Sequence, residues 1–480
     1  MNYIEGITRE QTTLFPELID DYISYENPIR FIDEFINQLD MIEMGFEHAE
    51  IKETGRPPYD RKDLLKLHIY GYLNRIRSSR NLERETKRNL ELIWLLKKLS
   101  PDHKTISDFR RNNTKALRNV FKNFIALCRK LELFGAELIA VDSTKFRASN
   151  ARDRIKNAEQ LEKSIKHVED SITEYMKYSE ENDKKDEQQS GTELTKEELQ
   201  KKISYLRKTK SKLEEAKQKI GQSGDKYISL SDPDCRLVKN QVTIEPGYSI
   251  HTAVDSKHSL IVEYEVSQDA ADNDHLSTTA IAAKETLKVK RIKVCADAGY
   301  YDSLDIKKCE DNEITTYVPI PKPKISKKVN VPQPKYYHDQ FTYDESTDCY
   351  GCPQGHSMNY YHTTKKHGRK FRVYRTVSCK GCPVKEICTT SPRGRYIYRW
   401  EDQQVIERLK ERLITEPQIM KRRKAIVEHP FGTMKKVWGY STFLLRGIDK
   451  VSTEISLMTL AYNIRRALSI IGIVGLIRAL

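Results

Sequence analysis

Long hydrophobic runs are missing from this chain of 480 residues. No stretch reaches the roughly 18 apolar residues that a membrane helix needs, and the apolar stretch Ile470–Leu480 is short and contains Arg478. The first residues also lack the basic and then apolar pattern of a secretory signal. We therefore expect neither export nor insertion into a membrane, and we expect the protein to lie in the cytoplasm.

Acidic charge is also scarce, but only in parts of the chain. There are 69 Asp and Glu residues against 83 Lys and Arg residues, and the formal net charge is +14. The net charge is −10 over residues 1–50, +13 over 51–130, −5 over 131–360 and +16 over 361–480. Two basic blocks separated by an acidic middle favour a polyanion such as nucleic acid as the partner.

The first 133 residues carry only helical patterns. Apolar residues recur at helical spacing, as in segment 32–39, and Asp60 is predicted to cap the helix that follows it. Basic side chains, among them Arg110 and Arg111, lie on the predicted polar faces of these helices. Residues 1–133 are therefore predicted to form an all-α domain that binds DNA.

Beyond residue 133, apolar runs typical of strands alternate with helical patterns. The predicted elements are a strand over 138–141, a hairpin over 247–266, a helix over 275–287 and a strand over 291–296. This order predicts an α/β domain with a mixed sheet, built from residues 134–320 and 401–480.

Residues 151–222 interrupt that domain with a different composition. Apolar residues fall on heptad positions from Leu161 to Tyr175 and again from Leu199 to Ile220, with a polar segment between the two stretches. Two such stretches joined by a polar turn predict an antiparallel coiled-coil hairpin. We interpret this hairpin as a structural insert that carries no chemistry.

The nine cysteines are unevenly spread, and five of them lie between residues 349 and 388. Clustering in a chain without an export signal favours a metal site over a disulfide framework. The pairs Cys349/Cys352 and Cys379/Cys382 form two C-x-x-C-P knuckles, whose four thiolates suit one structural Zn²⁺.

The sequence leaves open which side chains of this insert bind the zinc. Cys388 could replace one of the four cysteines, and His356 and His362 are weaker substitutes. Residues 321–400 are therefore predicted to form a linker and a zinc-binding insert, in which the metal has a structural role because protein ligands fill every position.

Two of the predicted strands end in an aspartate, Asp142 and Asp297. Metal-dependent phosphoryl transfer needs carboxylates on rigid elements, where two Mg²⁺ ions about 3.5–4 Å apart can hold the attacking and leaving oxygens. Glu428, a lone acid within a basic helical segment, is the best candidate for the third carboxylate. On spacing alone, the acids that compete for these roles are Asp232, Asp234, Asp255 and Asp302.

Basic residues surround Glu428 in the sequence. Lys424 and Lys435 share its face at helical spacing, and Arg422 and Arg423 come just before Lys424. Pro430 must kink or restart the helix. These cations suit contact with a phosphate backbone that lies across the site.

Three segments, Val141–Thr144, Asp297–Tyr300 and Val427–Lys435, resemble the three acidic motifs of bacterial insertion-sequence DDE transposases. Other stretches that fit this family are Gly55–Tyr59, Asp232–Asp234 with the later Gly247-Tyr248, and Leu460–Arg466. With a helical N-terminal domain and a cysteine-rich insert, the chain most resembles the insertion-sequence eleven-eighty-two group.

The resemblance implies an RNase H-like catalytic fold, which agrees with the predicted strand order. It implies that Asp142, Asp297 and Glu428 hold two Mg²⁺ ions, with Mn²⁺ as a substitute. These would activate water to nick the element's ends and then the freed 3′-OH to attack target DNA. Lys435 corresponds to the lysine that holds the terminal phosphate. Related groups carry Tyr and Arg seven and four residues before the glutamate, where this chain has Lys421 and Lys424.

The partners implied by the resemblance are double-stranded DNA, at the transposon ends and at the target, and a second copy of the chain in a homodimer. A nucleoid-associated location follows from DNA as the substrate. Two other functions stay open: an RNase H-like nuclease that cuts DNA without strand transfer, and a non-catalytic, zinc-containing DNA-binding protein of domesticated origin. The presence of all three acids favours an enzyme.

Overall fold

The computed structural model describes residues 18–47, 58–183, 196–239, 243–269, 271–321, 332–366 and 368–480. The chain divides into two compact units. The first unit contains Met1–Asp272, Thr278–Ile292 and Arg423–Leu480, and the second contains Asn273–Ser277 and Lys293–Arg422.

The described residues before residue 138 form only helices, and helices and strands both occur from residue 138 onward, which confirms the predicted α/β class. The helices are α1 (Pro28–Asn37), α2 (Arg61–Leu73), α3 (Ser79–Thr86), α4 (Leu90–Leu95), α5 (His103–Asn112), α6 (Thr114–Lys130), α7 (Ala158–Asp183), α8 (Lys196–Ser223), α9 (Leu276–Leu287), α10 (Ser303–Asp311), α11 (Lys385–Cys388), α12 (Gln403–Thr415), α13 (Pro417–Phe431) and α14 (Ile448–Ala479). The strands are β1 (Leu138–Arg147), β2 (Ile155–Lys156), β3 (Ile228–Ser229), β4 (Arg236–Lys239), β5 (Ile244–Asp255), β6 (Ile261–Ser267), β7 (Ile292–Cys295), β8 (Ile314–Tyr317), β9 (Thr342–Asp344), β10 (Cys349–Gly351), β11 (Ser357–Lys366), β12 (Arg369–Arg375) and β13 (Tyr396–Trp400).

The first unit begins with the helices α1 to α6, whose buried faces are apolar. Asp60 caps α2 as predicted, because its carboxylate accepts the Lys62 backbone N–H at 2.8 Å. That bond satisfies one of the amide groups that the first turn of a helix leaves without a partner.

The sheet of the first unit is built on β1. This strand pairs antiparallel with β5 from Ile139↔Asp255 to Arg147↔Gly247, and β5 also pairs antiparallel with β4 and β6. Gly247 faces β1 so closely that a Cβ atom there would lie 2.3 Å from the Phe146 carbonyl oxygen. Only glycine therefore allows the two strands to approach at this point.

Helices α7 and α8 pack against each other in the first unit through a small apolar cluster that includes Leu161, Val168 and Leu213. The ion pairs Lys210–Glu169 and Lys217–Glu162 join them, and their order along the two helices is antiparallel. The polar segment predicted between the helices lies outside the described residues, and coiled-coil supercoiling of the pair stays a prediction.

Helix α14 forms the core of the first unit. It packs against α2, α5, α6 and β6, and residues 451 to 464 are almost all buried. An 18-residue window of this helix has a mean hydropathy of 1.5, which by length and composition alone would suit a membrane span, and 39% of the window is buried. A core helix of a soluble protein passes the same test, so this hydropathy carries no further conclusion.

The second unit contains the neighbouring strands β7 and β8 and a five-stranded sheet in the order β13-β12-β11-β10-β9. One face of the five-stranded sheet covers an apolar cluster that includes Tyr350, Met358, Tyr374 and Cys388. The predicted cysteine-rich insert therefore has a small core of its own.

Asn463 offers a direct test of how α14 is fixed to the sheet. Its side-chain amide accepts the Ile261 backbone N–H at 2.9 Å and donates to the Ile261 carbonyl at 2.7 Å, and Asn463 is fully buried. Asn463→Leu would leave both backbone groups buried without partners, so we expect the free energy of unfolding to fall by about 2–5 kcal/mol.

Chemical denaturation of the full chain, monitored by circular dichroism, would measure this loss. Asn81→Leu, at an exposed position of α3, is the matched control. Equal stability of the two variants would contradict the role of Asn463.

Candidate functional site

Asp142 lies where β1 changes from buried to partly exposed. Residues 138–141 are buried and 142–145 are half-buried, so the strand delivers the carboxylate to an accessible surface on a rigid element. Its Oδ1 accepts the Ser143 backbone N–H at 2.8 Å, and its Oδ2 lies 3.3 Å from the Arg423 guanidinium. The predicted apolar run does end at this acid, but the strand does not: β1 continues to Arg147, so Asp142 lies within the strand.

Glu428 lies on α13, and its side chain is 65% exposed. Lys424, one turn earlier, lies 3.5 Å from its carboxylate. Pro430 does not end the helix immediately: α13 continues to Phe431, and a π-helical turn follows over Gly432–Val437. The expected interruption therefore takes the form of a widened turn just after the glutamate.

Asp142 and Glu428 line the same pocket, which has a volume of about 740 Å³. The lysines that share this lining are Lys145, Lys239, Lys435 and Lys436. A pocket with two carboxylates and several ammonium groups can hold a cation beside the acids and an anion beside the lysines.

Lys435 is half-buried against β1. Its ammonium group donates to the Lys145 carbonyl and lies 4.7 Å from the centre of the Phe146 ring. Burial, with a smaller contribution from the nearby Lys145 charge, lowers the pKa of Lys435 to about 8. An anion that binds beside this lysine would favour its charged form and raise its pKa again.

Asp272 is a further acid beside β1 that the sequence reasoning missed. It accepts the Ser143 hydroxyl at 2.7 Å and pairs with the Lys145 ammonium at 2.9 Å. Burial would raise the pKa of Asp272, but the bonds from Ser143 and Lys145 outweigh it and lower the pKa. The only sequence signal is its place among several acids between β6 and α9, which is too common to single it out.

The four competing aspartates have structural partners instead. Asp232 accepts the Tyr248 hydroxyl and the Gly447 N–H, and Asp234 accepts the Ile448 N–H. Asp255 accepts the N–H groups of Gly135 and Ala136, and Asp302 caps α10. Their oxygens hold loops and helix ends, which explains why acids occur at these positions without a role in the pocket.

Asp297 belongs to the second unit. It follows β7 as predicted, is half-buried, and accepts the Gly299 backbone N–H at 2.8 Å, which begins a short 3₁₀ turn. The preceding Ala296 N–H donates to the Tyr317 carbonyl at 3.1 Å, so the end of β7 is held against β8.

The basic residues predicted to contact DNA fall into different environments. Arg422 and Lys424 are exposed, and Arg111 is exposed with an ion pair to Asp108 at 2.8 Å. Arg110 is buried, and its guanidinium donates to the Tyr72 hydroxyl and the Arg77 carbonyl. The prediction that Arg110 contacts DNA is therefore wrong, because its charge is used inside the first unit.

The cysteine-rich insert places Cys388 in the apolar cluster of the second unit, with Cys352 packed against it. Cys379 and Cys382 lie on the turns before α11, and Cys349 lies on β10. Within the described part of the chain, no three His, Cys, Asp or Glu side chains are arranged as a metal-binding group. The two metal sites predicted from the sequence stay predictions.

Comparison with known proteins gives two family matches. Residues 17–112 match the model described as Transposase domain (DUF772), and residues 351–468 match the model described as Transposase DDE domain. The second match contains Glu428 and four of the five clustered cysteines. No curated protein matches the chain.

One solved structure with similarity to the chain is a cryo-EM structure of the piggyBac transposase synaptic complex with hairpin DNA. The identity is 8%, the alignment covers 93% of this chain and 75% of that one, and the TM-score is 0.33. A TM-score at this level carries no argument about the fold. The two family matches, in this order along one chain, are the pairing typical of bacterial insertion-sequence transposases.

Proposed function

We propose that this protein is a DNA transposase that cuts DNA at the ends of its element and joins the freed 3′-OH to target DNA, with Asp142, Asp297 and Glu428 as the catalytic carboxylates. The observation that carries the proposal is that Asp142 and Glu428, far apart in sequence, line one pocket with several lysines. The third carboxylate, Asp297, is proposed from its position after a strand and from the family motif.

Divalent metal use follows in general from the DDE domain, and the donors in the pocket suit Mg²⁺, with Mn²⁺ as a substitute. Carboxylate oxygens are the ligands that these hard cations prefer. Two such ions would lower the pKa of the attacking water or 3′-OH and offset charge on the leaving oxygen. Asp142 is on a strand and Glu428 is on a helix, so both carboxylates are held by rigid elements.

The chain's own cations would hold the nucleic acid. Lys145, Lys435 and Lys436 line the pocket beside the acids, and the exposed Lys424 lies one turn before Glu428. Each ammonium group that contacts a phosphate releases a counterion and adds affinity that does not depend on base sequence. Arg423 balances the charge of Asp142 and would direct that carboxylate into the pocket.

Double-stranded DNA is the proposed partner, with a homodimer that pairs two ends and a nucleoid-associated location in the cytoplasm. Arg111 and Arg422 would add backbone contacts outside the pocket, because both are exposed. The cysteine-rich insert is proposed to bind one structural Zn²⁺.

The first test is cleavage of a DNA duplex that carries the element's end sequence, in the presence of Mg²⁺. Asp142→Asn, Asp297→Asn and Glu428→Gln remove a carboxylate charge with little change in volume. We expect each to reduce the cleavage rate by about 100-fold or more, since loss of metal stabilisation costs several kcal/mol in the transition state.

Asp302→Asn is the matched control, because Asp302 caps α10 and has no proposed catalytic role. Cleavage by the three variants at the parent rate, with parent-like circular dichroism, would refute the assignment. Adding a target plasmid distinguishes strand transfer from cleavage alone: joined products support a transposase reaction, and cut ends without joining support a nuclease.

A second test uses the pKa of Lys435. Because that pKa is lowered to about 8, Lys435 is charged below pH 8 and loses its charge as the pH rises through 8. Lys435→Gln should therefore weaken binding of an end duplex at pH 6.5 by about 1.5–3 kcal/mol, the value of a hydrogen bond to a charged group. The difference between variant and parent should shrink by pH 9.

Fluorescence anisotropy at fixed ionic strength would measure both affinities. Lys436→Gln is the matched control for the loss of one positive charge, because Lys436 is exposed and lines the same pocket. A Lys435→Gln effect that stays constant from pH 6.5 to 9 would contradict the proposed contact.

A further inference from the structure

We propose that the zinc ligands of the insert are Cys352, Cys379, Cys382 and Cys388, and that Cys349 lies outside the site. The C-x-x-C spacing of Cys349 and Cys352 is then a coincidence of sequence. This inference rests on the proposed zinc-binding role of the insert and is independent of the proposed DNA cleavage.

Strand register separates Cys349 from the other cysteines. Tyr350 pairs with Tyr343 on β9 and with Met358 on β11, and all three contribute to the apolar cluster that contains Cys388. Successive side chains of a strand point to opposite faces. Cys349 therefore lies on the face away from that cluster.

The neighbours of Cys349 across the sheet confirm this orientation. It pairs with Asp344 and Asn359, both of which are exposed. Its sulfur lies 3.0 Å from the Thr347 hydroxyl, and Thr347 in turn donates to the Asp344 carboxylate at 2.8 Å. The thiol thus belongs to a polar network at the tip of the β9–β10 hairpin.

Cys352, unlike Cys349, lies on the side of the sheet that faces the apolar cluster. It packs against the apolar cluster, and the chain turns tightly around it, since the Gly355 N–H donates to the Cys352 carbonyl and the Cys352 N–H donates to the His356 carbonyl. The Gln354 backbone N–H donates to its sulfur at 3.5 Å. Amide donors that point at a cysteine sulfur stabilise the thiolate that a metal needs.

Cys388 lies close in sequence to the second knuckle, which consists of Cys379 and Cys382. The Lys385 N–H donates to the Cys382 carbonyl at 3.1 Å, so α11 begins directly on the knuckle, and Cys388 ends α11 with its side chain buried in the cluster.

The loop after α11 closes over Cys379. A Cβ atom on Gly394 would lie 2.6 Å from the Cys379 Cβ and 3.2 Å from its sulfur, and Gly394 has a φ of +91°. Only glycine suits both the contact and this backbone conformation. The chain from Cys388 to Gly394 is therefore packed directly against the second knuckle.

The four proposed ligands all lie within residues 351–468, the segment that matches the DDE domain. Four thiolates close a tetrahedral Zn²⁺ site at Zn–S distances of about 2.3 Å. Binding would require the four sulfurs to converge by side-chain rotation with loss of their protons.

The test compares Cys349→Ser with Cys388→Ser in full-length protein purified without added metal, with zinc measured by mass spectrometry. We expect about one equivalent in the parent protein, because a closed structural site retains its metal. Cys349→Ser should keep that equivalent, and Cys388→Ser should lose most of it. Loss of zinc from Cys349→Ser with retention in Cys388→Ser would overturn the inference, as would a parent protein without zinc.

A second measurement avoids the risk that Cys388→Ser fails to fold. The unmodified protein is alkylated with a maleimide before and after chelation of zinc, and labelled peptides are identified by mass spectrometry. Cys349 should react at the same rate in both states, whereas the other four cysteines of the insert should react at least tenfold faster after chelation. Protection of Cys349 by zinc, or no protection of Cys388, would refute the proposed set.

Discussion

The pairing of β1 with β5 is the constraint on which the first unit depends. The apolar residues 138–141 are buried, and burial ends at Asp142, so the position of the first carboxylate is set by how far the hydrophobic part of the strand extends. The antiparallel register then pairs Gly247 with Arg147 and brings it so close to the Phe146 carbonyl oxygen that no larger residue fits. A shift of one residue would turn Asp142 to the opposite face of the sheet and place a side chain in that gap. The pocket with Glu428 therefore depends on the same packing that stabilises the sheet.

The positive charge of this chain serves two purposes that net charge cannot separate. Part of it is internal: Arg110 bonds to Tyr72 and Arg77 inside the first unit, and Arg118 bonds to Glu263. Another part lines the pocket of the two acids, where burial lowers the pKa of Lys435. Burying a cation costs free energy unless a partner compensates for it. The two arginines have such partners within the first unit, whereas the proposed partner of Lys435 is an anion that binds from outside the protein. The basic block of residues 51–130 is thus partly structural, and its charge overstates the surface available to DNA.

The α/β fold class and part of the candidate functional site could be predicted from the sequence, because both depend on local sequence patterns. The apolar run before Asp142 and the cap at Asp60 are short-range signals, and the structure confirms both. Asp272 could not be found in this way, since its role depends on Ser143 and Lys145, which lie more than a hundred residues earlier in the chain. The C-x-x-C pattern is limited in another way. It counts residues along the chain, but successive side chains of a strand point to different faces, so Cys349 lies on the face of the sheet away from the apolar cluster against which Cys352 packs.

The sequence by itself determined which residues have the chemistry: the carboxylates at strand and helix positions, the lysines around Glu428 and the clustered thiols. It did so because hydrophobic periodicity and residue type are properties of short segments. Only the tertiary structure decided which of these groups meet. It brought Asp142 and Glu428 to one pocket, buried Arg110, engaged Asp232 and Asp255 in loop contacts, and divided the cysteines between two faces of a sheet. These outcomes depend on register and packing between distant segments, which no local pattern encodes.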